Sequence, residues 1–196
     1  MSNVCSVKAG TEIKALDLVY ISIGAALIAV CSWISIPTAV PFTLQTFAVF
    51  FVLLLLGGER GTIATLIYVL LGAVGLPVFA GFKGGVGILF GNTGGYILGF
   101  LFIGLIYTLF MRLPKKKMLI KVAALVLGLA VCYAFGTAWF MYVYMRSTGE
   151  VGLITVLGWC VFPFIIPDLI KMALAVVIAK RIEPVIQAAP EARSKP

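Results

Sequence analysis

The chain has 196 residues, of which 62% are hydrophobic and only 11% charged, with a mean hydropathy of +1.16 and a formal net charge of +8. A soluble domain carries about a quarter charged residues, so this inventory cannot supply a solvated surface and predicts an all-α integral membrane protein. It holds no histidine, which removes the commonest general base and metal ligand, and the positive charge reads as basic loops flanking membrane spans rather than as a surface for nucleic acid.

A spanning helix needs about 20 mostly apolar residues. Six segments are candidates: 16–36, 43–57, 61–76, 93–112, 119–145 and 153–181. Residues 1–14 are polar, and the apolar run behind them exceeds a signal-peptide core, so no cleavable signal is expected. The first span carries Ala25 and Ala29 four apart in SIGAALIAV, with Ser22 and Ala26 offset by one face. Such small residues permit close helix approach, either to a partner subunit or within the chain itself. The turn IPTAVPFTLQT (36–46) is uncharged and stiffened by two prolines. From it Thr43, Gln45 and Thr46 enter the second span, with donors and acceptors from the threonine and glutamine groups; Thr43 is equally an N-cap candidate.

Only GGERG separates the second and third spans, which predicts a tight helical hairpin. Residues 77–92 are too short and too rich in glycine (81, 84, 85 and 87) to span. They predict an irregular or re-entrant segment, tolerated at membrane depth only when buried in protein or lining a cavity. GNTGGY (91–96) opens the fourth span, where Asn92 or Thr93 is a helix cap or a ligand contact, and Gly94 with Gly95 allows close approach. Trp139 and Tyr142 in the fifth span are either interfacial belt residues or a platform for a flat ligand. Cys5, Cys31, Cys132 and Cys160 are widely spaced. They read as small apolar fillers or, for the first, a terminal thiol, not as a metal or disulfide framework.

Basic residues set the orientation. With six spans and both termini in the cytoplasm, twelve of the fifteen lie on cytoplasmic segments, Lys83 and Arg146 lie outside, and Lys171 lies within a helix. That asymmetry is what the positive-inside rule requires. It divides the chain into a cytoplasmic segment (1–14), one six-helix membrane domain (15–183) and a flexible cytoplasmic tail (184–196).

Asp168 and Lys171 interrupt the last span. At 1.5 Å per residue they stand roughly 18 Å and 13 Å above the inner boundary marked by Lys180 and Arg181, near the middle of a hydrocarbon core about 30 Å thick. A lone charge there is costly and usually functional. Three residues apart, the two share a face and can pair. The pair is either a packing lock or the anchor of a polar ligand site, and Pro163 and Pro167 predict a kink that opens space beside it. A small, partly apolar ligand entering from outside fits this mixture.

Taken together, VPFTLQTFAVFFVLLLLGGERG (40–61), YVLLGAVGLPVFAGFKGG (68–85), GNTGGYILGF (91–100) and FPFIIPDLIK (162–171) resemble the BioY family, the biotin-specific S components of energy-coupling-factor transporters. The resemblance covers roughly residues 15–182. It departs at Asn92, where the family pattern has proline, so Asn92's role stays open. It implies a six-helix S-component fold in the cell membrane that captures biotin at the outer face. It further implies that Asp168 accepts from the ureido ring, that Gln45 or Asn92 meets its carbonyl, and that Lys171 pairs with Asp168 or reaches a ligand oxygen. Thr43 joins these polar groups; Phe42, Phe79 and Trp139 would wall the apolar part, and Lys83 or Arg146 would meet the carboxylate. No cofactor is expected. The chain has no GxxxxGK[ST] loop for ATP phosphates, so the partners implied are a membrane coupling subunit and an ATPase pair, with Ala25 and Ala29 as docking residues. An S component for another vitamin is the nearest alternative. An intramembrane enzyme is opposed by the missing histidine and the lack of an HExxH or an evident nucleophile–base pair, and a channel by the lack of a long polar stripe.

Overall fold

The computed structural model describes residues 15–37, 40–113 and 117–192. The expected 1–14 segment therefore lies outside the described residues. The chain is mostly helical. Helix α1 (Ala15–Trp33) runs into a two-residue antiparallel pair, β1 (Ser35–Ile36) with β2 (Phe42–Thr43), in which Ser35 faces Thr43 and Ile36 faces Phe42. Then come α2 (Gln45–Leu56) and α3 (Gly58–Val74), an irregular stretch with the short helix α4 (Val86–Leu89), α5 (Gly94–Met111), α6 (Met118–Ser147), α7 (Leu153–Cys160) and α8 (Phe162–Ala192).

Each apolar segment picked out by hydropathy contains a helix. Four stretches are long and apolar enough to cross a membrane: α1, α5, α6, and α7 with α8 through Ile182. Helices α2 and α3, at 12 and 17 residues, are shorter than that measure, so six crossings are not fixed by length alone. The α2–α3 hairpin is tighter than a loop. Gly57 alone joins the two helices, at φ +84°, a left-handed conformation that glycine adopts without a Cβ penalty. In the last segment the backbone breaks at Val161, just ahead of the expected kink. Pro163 sits in the first turn of α8, just after this break, where a missing N–H costs nothing. Helix α8 stays helical through Ala192, past the position where the tail is expected to begin.

Without a hydrophobic drive between helices in lipid, close packing carries the fold. Helix α5 lies along α6 through glycines: a Cβ on Gly99 would meet Cys132 Sγ at 2.6 Å, and one on Gly128 would meet Ile103 Cα at 2.9 Å. Helix α3 packs between α1 and α5, and α2 packs on α8. Residues 77–92 are irregular as expected, pinned by a bridge between Phe79 and Lys83 and by Gly85 N–H donating to Gly72 O at 2.7 Å.

Ala25 and Ala29 face inward. They are 3% and 8% exposed, in the same core as Val52 and Ala64. Their small size serves internal packing, so the expected docking face is not built from that pair; Ser22 and Ala26, offset from them, are exposed.

Candidate functional site

Where α2 meets α8, Asp168 and Lys171 are 2% and 5% exposed. Three residues apart on α8, they pair at 2.8 Å between Nζ and Oδ1. Burying one charge in a dry interior is unfavourable, and a partner offsets this only if the remaining hydrogen-bond capacity is also met. Here it is. The Lys171 ammonium has three donors, and they reach Asp168 Oδ1, the Thr43 carbonyl at 2.7 Å and Thr46 Oγ1 at 3.2 Å. The Phe42 ring covers the ammonium, with Nζ 4.1 Å from its centroid. The Thr46 hydroxyl donates to Asp168 Oδ1 at 2.9 Å, and the Tyr133 hydroxyl donates to Oδ2 at 2.6 Å.

The pair borders a cavity of about 260 Å³, at the small end of ligand sites. Its wall draws on most of the segments expected to supply it. The turn before α2 supplies Thr43; α2 supplies Gln45 and Thr46; the glycine-rich stretch supplies Phe79 and Lys83; α8 supplies Asp168 and Lys171. Thr43 both caps and anchors: its Oγ1 accepts from Gln45 N–H at 3.2 Å while its carbonyl holds Lys171. The Gln45 amide donates to Tyr68 at 2.9 Å, and Phe79 packs edge-on against Tyr68, centroids 5.6 Å apart.

Three predicted contacts lie elsewhere. Trp139 is absent from the cavity wall; its Nε1 donates to Gly91 O at 3.1 Å and its side chain fills the space that a Cβ on Gly95 would enter. Asn92 is half-buried in the turn before α5, off the wall, where Thr93 is present instead. Phe42 stands behind Lys171, stacked on Phe164, and acts on the ammonium rather than on the hollow. Of the two basic candidates for a ligand carboxylate, the exposed Lys83 is on the wall, whereas Arg146 lies over the Tyr142 ring at 4.5 Å.

Sequence reasoning missed the aromatic hydroxyls. Tyr133 and Tyr96 line the cavity, and Tyr68 stands behind Gln45. A tyrosine deep in an apolar span needs a partner for its O–H, and that need was the available signal.

The family model described as the BioY family matches residues 6–188. A biotin transporter BioY of Thermotoga maritima is 43% identical over 170 residues, covering 85% of this chain and 95% of the relative. A probable biotin transporter BioY of Pyrococcus horikoshii is 39% identical over 171 residues, covering 87% and 98%. Among solved structures, the S-component for biotin from an ECF-type ABC transporter superposes with a TM-score of 0.77 at 28% identity, covering 90% of this chain and 95% of that one.

Proposed function

The chain belongs to the BioY family, and on that premise we propose that it is the biotin-binding membrane subunit of a biotin uptake system, capturing the vitamin at the outer face of the cell membrane. The observation that carries the site is a buried carboxylate facing a mostly apolar hollow with its counter-ion already bound to protein. A fused ureido ring offers N–H donors and a carbonyl acceptor. Asp168 accepts one N–H, Gln45 is placed for the other side of the ring, and Phe79 and Phe100 supply apolar wall. Lys171, whose three donors are used within the protein, orients Asp168 rather than touching the ligand. Lys83 is the cation for the valeryl carboxylate.

In this reading residues 15–183 form a six-helix membrane domain with both termini in the cytoplasm, supported by the distribution of basic residues. The chain carries no phosphate-binding loop, so it works as a binding subunit, with a coupling subunit and an ATPase pair of an ECF module driving release. Calorimetry on the purified chain in detergent tests the assignment. Biotin is expected to bind and riboflavin and thiamine not to; the reverse pattern would reassign the vitamin.

A further inference from the structure

The carboxylate at the centre of the site is nearly saturated by the protein itself. An ionised carboxylate offers about four lone-pair positions. Oδ1 takes two donors, the Thr46 hydroxyl at 2.9 Å and the Lys171 ammonium at 2.8 Å. Oδ2 takes the Tyr133 hydroxyl at 2.6 Å. Among the described residues no further side-chain donor reaches Oδ2, so one position on that oxygen is left, on a residue that lines the cavity. Tyr133 also stands on a boundary: it lines both this cavity and an apolar groove of about 320 Å³ between α6 and α7. Its O–H is thus fixed on the inner side, against Asp168.

We infer that Tyr133 is a positioning residue that restricts Asp168 to a single ligand N–H, and that this restriction selects a neutral cyclic urea over a cyclic guanidine. The inference rests on the biotin reading. A guanidinium-type ring presents two parallel N–H groups and docks best on both oxygens of a carboxylate at once. Here Oδ1 is filled from α2 and α8, and Oδ2 is half-filled from α6, so that fork lacks an acceptor. Lys171 Nζ, 2.8 Å from Oδ1, also opposes a cationic ring. A urea presents one N–H beside a carbonyl, and one acceptor position suffices for it. Removing the Tyr133 hydroxyl opens a second position on Oδ2 while leaving the ion pair in place.

The test uses the full chain purified in detergent, as wild type and Tyr133→Phe, titrated calorimetrically at one pH with biotin and with its cyclic guanidine counterpart, 2-iminobiotin. Loss of one hydrogen bond to a charged group is expected to weaken biotin about tenfold. 2-Iminobiotin should lose less, so that the preference for the urea falls by about threefold or more. Equal weakening of both ligands marks Tyr133 as merely structural and overturns the inference, as does unchanged biotin affinity. Should the variant fail to fold, Thr46→Val frees a position on Oδ1 instead, and the same fall in preference is expected; an unaltered ratio in that folded variant overturns the inference. A folded wild type that does not bind biotin overturns the function and this inference together, whereas biotin bound with an unchanged ratio overturns the inference alone.

Discussion

The α3–α5 and α2–α8 crossings both hold polar side chains between helices and use them in opposite ways. Where α3 meets α5, Thr62 and Thr108 donate back to Gly58 O at 2.7 Å and Gly104 O at 2.8 Å, and their hydroxyls meet at 3.1 Å. There is no room beside them: a Cβ on Gly104 would lie 2.6 Å from Thr62 Oγ1, and one on Gly58 2.7 Å from Thr108 Oγ1. Where α2 meets α8, Thr46, Lys171 and Asp168 are also satisfied, but beside a hollow and with acceptor capacity to spare. Polar atoms between packed helices do not by themselves make a site. Residual hydrogen-bonding capacity beside open space does, and its absence makes a packing joint.

The contrast can be broken most forcefully at Lys171. Lys171→Met leaves the Asp168 carboxylate buried without a cation and is expected to destabilise the fold by about 3–5 kcal/mol, read as a lower unfolding midpoint in detergent. Adding Asp168→Asn to that variant should recover much of the loss; if it does not, the loss comes from the missing Lys171 contacts to Thr43 and Thr46 rather than from the unpaired carboxylate. Asp168→Asn alone keeps Lys171 on the Thr43 carbonyl, the Thr46 hydroxyl and the Phe42 face. Its main effect falls on biotin, weakened by about 10- to 100-fold as a hydrogen bond to a charged group is lost, with folded protein retained. Unchanged affinity would remove Asp168 from the site.

The α3–α5 crossing gives the converse. Gly104→Ala should cost about 1–3 kcal/mol of stability through overpacking, with biotin affinity per folded molecule unchanged; a selective loss of affinity would show that this crossing reaches the site after all. The smallest effect is expected at the Arg60–Asp17 pair, 2.9 Å apart between α3 and α1 with the arginine side chain 48% exposed. Arg60→Ala should cost less than about 1 kcal/mol and leave binding untouched by calorimetry.

The sequence exposed one half of this design better than the other. Charges in apolar runs stand out because the bilayer makes them expensive, so Asp168, Lys171 and Gln45 were legible without neighbours. The irregular 77–92 stretch was legible from its glycines, and a break in the last segment from its two prolines, Pro163 and Pro167. Direction around each helix was not legible. A helix in lipid is apolar on its inner and outer faces alike, so the 3.6-residue polarity that marks the buried face of a soluble helix is missing. That is why the sequence left Ala25 and Ala29 open between a docking face and internal packing, the second of which the structure shows, and why Trp139, implied in the pocket by resemblance, packs over Gly95 instead. Tyr133 was hidden for a related reason: its partner lies 35 residues along the chain, and nothing local marks the encounter.

The one-residue joint at Gly57 sets a mechanical limit on how the protein can respond to its cargo. A loop would absorb a shift of α2 as slack, but a single residue between α2 and α3 cannot. When the end of α2 bearing Gln45 and Thr46 adjusts to a seated molecule, either a helix must flex or α3 must travel with it, and α3 is packed closely on α1, where a Cβ on Gly24 would meet Ala64 at 3.2 Å. News of occupancy therefore has a stiff route from one end of the bundle to the other.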